Sequence, residues 1–140
     1  MEYKMYGSVL ALKIDRGEEI LTCIKEVCET MNIKAGFITG LGAVDKIEIC
    51  LYDVVEKKFH GSVIEKPMEM SSISGNVSEK GGEVYLHIHA NFADASGAVI
   101  GGHLKEARVS GVAEIFITKL EGVIDRKFDE GIGLNVMVFR

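Results

Sequence analysis

The segment Glu83 to His103, EVYLHIHANFADASGAVIGGH, constrains this chain more than any other. Val84, Leu86, Ile88, Ala90 and Phe92 alternate with Glu83, Tyr85, His87, His89 and Asn91, and successive side chains of a strand point to opposite faces. The apolar set belongs against a core, which leaves His87 and His89 together on the polar face. Asp94-Ala95-Ser96-Gly97 then supplies the turn, with Gly97 free to take positive φ and Asp94 able to bond its own backbone. Centred on Ser96, the hairpin sets His89 opposite His103 on a shared face, with Cβ atoms about 4.5 to 5.5 Å apart. His87, two residues back, lies roughly 7 Å from His89 on the same side. A slip of one residue would turn His103 to the other face.

This register predicts that His87, His89 and His103 converge on one ion. Imidazoles ligate zinc at about 2.0 to 2.1 Å, and three neutral imidazoles favour it, although nickel, copper, cobalt or iron can substitute. Gly101 and Gly102 allow close backbone approach beside the third ligand. The fourth tetrahedral position is left for water, a carboxylate or a residue of a neighbouring subunit. Protonation of the ligands should weaken the site below about pH 6. His60, in the polar run from Glu56 to Gly61, reads as an ordinary surface or hydrogen-bonded histidine.

Upstream, Met5 to Ile14 (MYGSVLALKI) reads as one strand. A helix over residues 17–31 follows, with Asp15 and Glu18 spaced as a capping box and an apolar stripe of Ile20, Leu21, Ile24, Val27, Cys28 and Met31. Short β-like runs then alternate with Gly, Asn, Asp and Ser: Ala43 to Tyr52, Gly61 to Glu65, Met68 to Val77, Glu83 to Phe92, Val99 to His103, Val109 to Leu120 and Leu134 to Phe139. One early helix and many short-linked strands predict an α+β fold with a mostly antiparallel sheet, not a doubly wound one. Gly40-Leu41-Gly42 lacks the third, helix-opening glycine of a dinucleotide fingerprint and reads as a turn or bulge.

A chain of 140 residues suits a single domain, residues 1–140. It has no apolar stretch of about 18 residues and no secretory leader, so a cytoplasmic protein without membrane contact is expected. Cys23, Cys28 and Cys50 form no CxxC pair and read as small buried hydrophobes. A net charge of -5 opposes free-standing nucleic-acid binding, which draws its affinity from Lys and Arg.

LHIHA (Leu86 to Ala90), the Asp94 to Gly97 turn, GGHL (Gly101 to Leu104), the Glu114 strand and the late pair Asp125-Arg126 together resemble the plants-and-prokaryotes conserved domain, also labelled DUF296. The resemblance spans essentially the whole chain. It implies an α/β fold with a major antiparallel sheet, a homotrimer, and a histidine metal site in prokaryotic members, which are often labelled DNA-binding. The plant members' AT-hook is missing here, and their partner-binding segment corresponds to Lys66-Pro67-Met68-Glu69-Met70-Ser71, where only the Glu is kept. Independently, Val109 to Leu120 is apolar on both faces, which calls either for a symmetric assembly or for a second layer within the monomer.

Three functions are open at this level. The first is a homotrimeric zinc-binding protein whose site either supports the assembly or captures a small-molecule ligand at the metal. The second is a zinc-dependent enzyme that acts through a metal-bound water and needs a nearby acid or base, for which Glu48, Asp94, Glu114 and Arg126 are nominal candidates. The third is a DNA-binding or regulatory protein. No residue is assigned a catalytic role.

Overall fold

The computed structural model describes residues 1–139. Eight strands and one helix follow in chain order: β1 (Glu2–Tyr6), β2 (Val9–Asp15), α1 (Ile20–Thr30), β3 (Gly36–Asp53), β4 (Lys58–Lys80), β5 (Glu83–Ala93), β6 (Val99–Lys119), β7 (Asp125–Asp129) and β8 (Leu134–Val138). The class is the expected one, an antiparallel sheet with a single helix. All strand pairs are antiparallel except a single parallel register position, Glu79 with Asp125.

The expected strand from Met5 to Ile14 is instead a hairpin, β1 and β2, joined through Gly7-Ser8 with Tyr6 opposite Val9. Gly7 has φ 61, and glycine at the first central position is what a two-residue type II′ hairpin turn requires. The helix is shorter than residues 17–31. Its N-cap is Glu19, whose carboxylate accepts from the backbone N–H of Leu21 (3.0 Å) and Thr22 (2.7 Å). Glu18 reaches back to the Asp15 N–H at 2.8 Å, so the expected box closes the preceding turn rather than the helix. At the other end Asn32 takes φ 50, Asn32 N–H donates to Glu29 O and Ile33 N–H to Cys28 O, which is a Schellman motif with buried Ile33 as its apolar contact. The buried stripe is Ile20, Cys23, Ile24, Val27 and Cys28, with Leu21 and Met31 partly buried against the core.

Runs expected to be separate strands merge. Gly61 to Glu65 and Met68 to Val77 belong to one long β4, and Val99 to His103 and Val109 to Leu120 to one long β6. The interruptions are bulges: the register of β3 on β4 shifts between Gly40 and Gly42 and again between Val44 and Lys46. Pro67 falls opposite the second shift and before β5 begins to pair at Glu69, so its missing N–H breaks no ladder. At Gly42 a Cβ would meet Ala113 Cα at 2.7 Å, so glycine is what lets β3 press onto β6.

Strands β3 and β6 pair along most of their length, β3 also pairs β4, β4 pairs β5, and β5 pairs the first part of β6. The four strands therefore close on themselves around a core that includes Ile38, Ile47, Met70, Ile73, Ile88, Phe92, Leu104 and Ile115, and α1 packs across β5 and β6. The β7–β8 hairpin, whose first strand the sequence pattern does not signal, docks beside β4.

Candidate metal centre

The β5–β6 hairpin has the register read from the sequence. His89 stands opposite His103, Asn91 opposite Gly101 and Ala93 opposite Val99. The turn is built as its residues dictate: Gly97 N–H donates to Asp94 O, Ser96 N–H donates to the Asp94 carboxylate, and Gly97 has φ 81. Hydrogen bonds from Ser96 and Lys66 hold the Asp94 carboxyl well below the usual carboxylate range.

His87, His89 and His103 come together on the face away from the core. Their ring centroids lie 5.2, 5.3 and 5.4 Å apart, and each ring offers a nitrogen within 4.8 Å of the others. A tetrahedral zinc needs nitrogens ~3.3 Å apart, a closure that small rotations about the imidazole side-chain bonds supply. The donor set suits such an ion: three imidazoles, none engaged by a carboxylate. Gly102 lies where a Cβ would meet Cys50 O at 2.8 Å, which brings β6 close to β3 beside His103.

Burial keeps two of these rings neutral. It pushes His103 down to about 4, aided by Lys105 and the other two histidines, and it lowers His87, aided by His89 and Arg126. Neutral imidazole is the form that can ligate a metal ion. The unfolded chain binds a proton at these positions near pH 6.5 while folded His103 resists protonation to about 4, so stability should fall as pH drops through that window. Urea unfolding of metal-free protein at pH 7, 6, 5 and 4 checks this; a pH-independent midpoint would contradict it. Release of metal is likewise expected below the pH 6 that free imidazoles suggest.

The histidines open onto a groove of about 960 Å³. One wall is the tip of the β3–β4 hairpin, where the Tyr52 and Phe59 rings pack 4.8 Å apart and Phe59 lies 5.2 Å from His103. The other is the β7–β8 hairpin. The two walls are tied together by the Tyr52 hydroxyl, which donates to Ile132 O at 2.8 Å, and by Lys57 Nζ, which donates to Glu130 O at 2.6 Å.

Of the four residues named as possible acids or bases, only Arg126 borders the groove. Glu48, Asp94 and Glu114 do not. Asp94 serves the turn and pairs with Lys66 at 3.0 Å, and Glu114 is exposed opposite Lys13 and Leu41. His60 lies 2.9 Å from the Glu56 carboxylate on the exposed tip, as a surface histidine should. Asp53, Glu56 and His60 cluster there, with Asp53 accepting the Val55 and Glu56 N–H groups. Cys23 and Cys28 are buried, their thiols pushed up to about 11 and about 12. Cys50 is different: it stands opposite His103 and its thiol donates to His103 O at 3.6 Å.

The family model of the Plants and Prokaryotes Conserved (PCC) domain matches residues 1–121. The chain belongs to this family. Among solved structures, it is similar to a metal-containing protein of Archaeoglobus fulgidus, with 34% identity, a TM-score of 0.89, and 99% of this chain and 97% of that one covered. A plant- and prokaryote-conserved (PPC) protein of Pyrococcus horikoshii gives 33%, 0.86, 99% and 97%. A candidate DNA-binding protein of Bacteroides thetaiotaomicron gives 27%, 0.96, 99% and 96%. No curated protein matches the sequence. The β7–β8 hairpin of this PCC-domain chain, and with it Arg126, lies beyond the part that the family model matches.

Proposed function

We propose that this PCC-domain protein is a homotrimeric metal-binding protein in which His87, His89 and His103 hold zinc and the groove above them captures a small ligand. The observation that carries the reading is the convergence of the three imidazoles on one open face, with two of them kept neutral by burial. The similarity to a metal-containing archaeal protein points the same way. When bound, the ion would supply a Lewis-acidic position for an oxygen donor. Elemental analysis of purified protein should give one zinc per chain; a chain without stoichiometric transition metal would contradict the reading.

Trimerisation is supported by the uncovered side of the sheet. Val109, Ala113, Ile115 and Ile117 are buried in the core, but on the opposite face Phe37, Leu41 and Phe116 are 51%, 53% and 48% exposed. Among the described residues no second layer covers that face, which supports an assembly over a second layer within the monomer. The same face continues along the register: Phe37 stands opposite Asn76, and Asn76 opposite His87. Copies packed on it would border the histidine site, and a closed ring is the symmetric way to bury one such patch per copy. Light scattering should give three times the 15.3 kDa chain mass, and Phe116→Glu should reduce it to monomer. A wild-type monomer would contradict the assembly.

Catalysis at the same site is the second reading, favoured by the large open groove. Glu48, Asp94 and Glu114 lie away from it, so an acid or base would come from another lining side chain, such as His60, Tyr52, Tyr85 or Lys105, or from a neighbouring copy. A DNA-binding role has the weakest physical support, because a net charge of -5 repels phosphates.

A further inference from the structure

The chain carries 21 acidic residues against 16 Lys and Arg, yet among the described residues no Asp or Glu lines the groove. The charged side chains there are Lys105 and Arg126, beside the histidines. Arg126 is held with unusual thoroughness. Its Nε donates to Ser78 Oγ (2.8 Å), Nη1 to Asn135 O (2.8 Å) and Nη2 to Asn76 Oδ1 (2.7 Å), and the guanidinium lies 4.7 Å over the Tyr85 ring.

Each of these acceptors is neutral, and Arg126 makes no ion pair among the described residues. The neighbouring Asp125 carboxylate accepts the Arg126 backbone N–H. A partly buried cation without a counter-ion is costly, and a guanidinium does not discharge to relieve that cost. It has five N–H bonds, of which three are accounted for, so two remain. Position completes the case. Asn76, which receives Nη2, is the direct cross-strand partner of His87, so the guanidinium sits next to the three-histidine cluster.

We propose that Arg126 is the anion anchor of this groove, holding the carboxylate of a small organic acid beside the histidine site. Two remaining N–H bonds match the two oxygens of a carboxylate, the pairing for which arginine is best suited. The apolar side chains of Leu51, Phe59 and Leu86 would cover the body of such an acid, whereas a phosphate, with more oxygens to satisfy, would leave acceptors facing apolar walls. This assignment rests on the ligand-capture reading above, but its geometry belongs to Arg126 whether or not an ion is present.

Calorimetric titration of butyrate, its uncharged isostere butyramide and inorganic phosphate into wild-type, Arg126→Gln and Arg126→Lys proteins tests it, with metal content measured on each preparation. Wild type should bind butyrate more tightly than butyramide or phosphate. Arg126→Gln should weaken butyrate ten- to a hundredfold at unchanged metal content, the loss expected for one charge-assisted hydrogen-bonded contact. Arg126→Lys, which keeps the charge without the fork, should recover part of the loss and guards against misfolding of the Gln variant. Equal butyrate affinity in Arg126→Gln and wild type, equal binding of butyramide, tighter binding of phosphate, or no butyrate heat at millimolar concentration would each overturn the assignment. Arg126-dependent binding in protein without metal would sink the zinc reading alone.

Discussion

Replacing His103 with alanine is expected to empty the metal site. A structural zinc contributes about 10–16 kcal/mol through some four ligands, so each ligand carries about 2.5–4 kcal/mol, roughly two to three orders of magnitude in affinity. Cys50, which stands opposite His103, does not replace the lost ring, because its thiol is turned onto the His103 carbonyl. His87→Ala should behave in the same way. His60→Ala should not, since that ring is engaged with Glu56 on the exposed tip. Chelator competition followed by elemental analysis separates the variants, and full metal content in His87→Ala and His103→Ala would remove the site.

Phe92→Ala should be the most damaging change to stability. Phe92 is fully buried, lies opposite Met70 and Ile100, and fixes the core side of the hairpin whose other side carries His89. Truncating a buried phenylalanine costs about 3–5 kcal/mol, a large share of the stability of a typical domain. His89→Ala in metal-free protein, at an exposed position, should stay within about 0.5 kcal/mol. Denaturant midpoints measure both. A Phe92→Ala cost below about 1 kcal/mol would mean that the hairpin is not anchored through this ring.

What the sequence made legible is what local chemistry decides. The turn residues Asp94 and Gly97 fix the β5–β6 register, and register alone brings His103 to the same face as His87 and His89. The apolar stripe of α1 is likewise written in its spacing. The errors occurred where a punctuating residue has two meanings. Gly7 is a hairpin turn but sits in an apolar run that reads as continuous strand. Gly61 reads as the start of a strand but is a close approach inside β4, where a Cβ would meet Ile49 O at 2.6 Å. Only knowledge of the facing strand distinguishes these cases. The contacts of Cys50, and those of Arg126, which the sequence offers only as one of four nominal candidates, are not legible for a further reason: each depends on pairings with distant segments, Cys50 with His103 and Arg126 with Asn76 and Ser78. The absence of carboxylates from the groove lining was a possible signal only once the lining was known.

The central claim is that three side chains of one hairpin bind one ion. Anomalous diffraction from crystals of the native protein, collected on both sides of the zinc edge, tests it most directly. The expected result is a single peak per chain about 2.0 to 2.1 Å from a nitrogen of each of His87, His89 and His103. No peak among these rings, or a peak bound elsewhere such as at Asp53, Glu56 and His60, would contradict it.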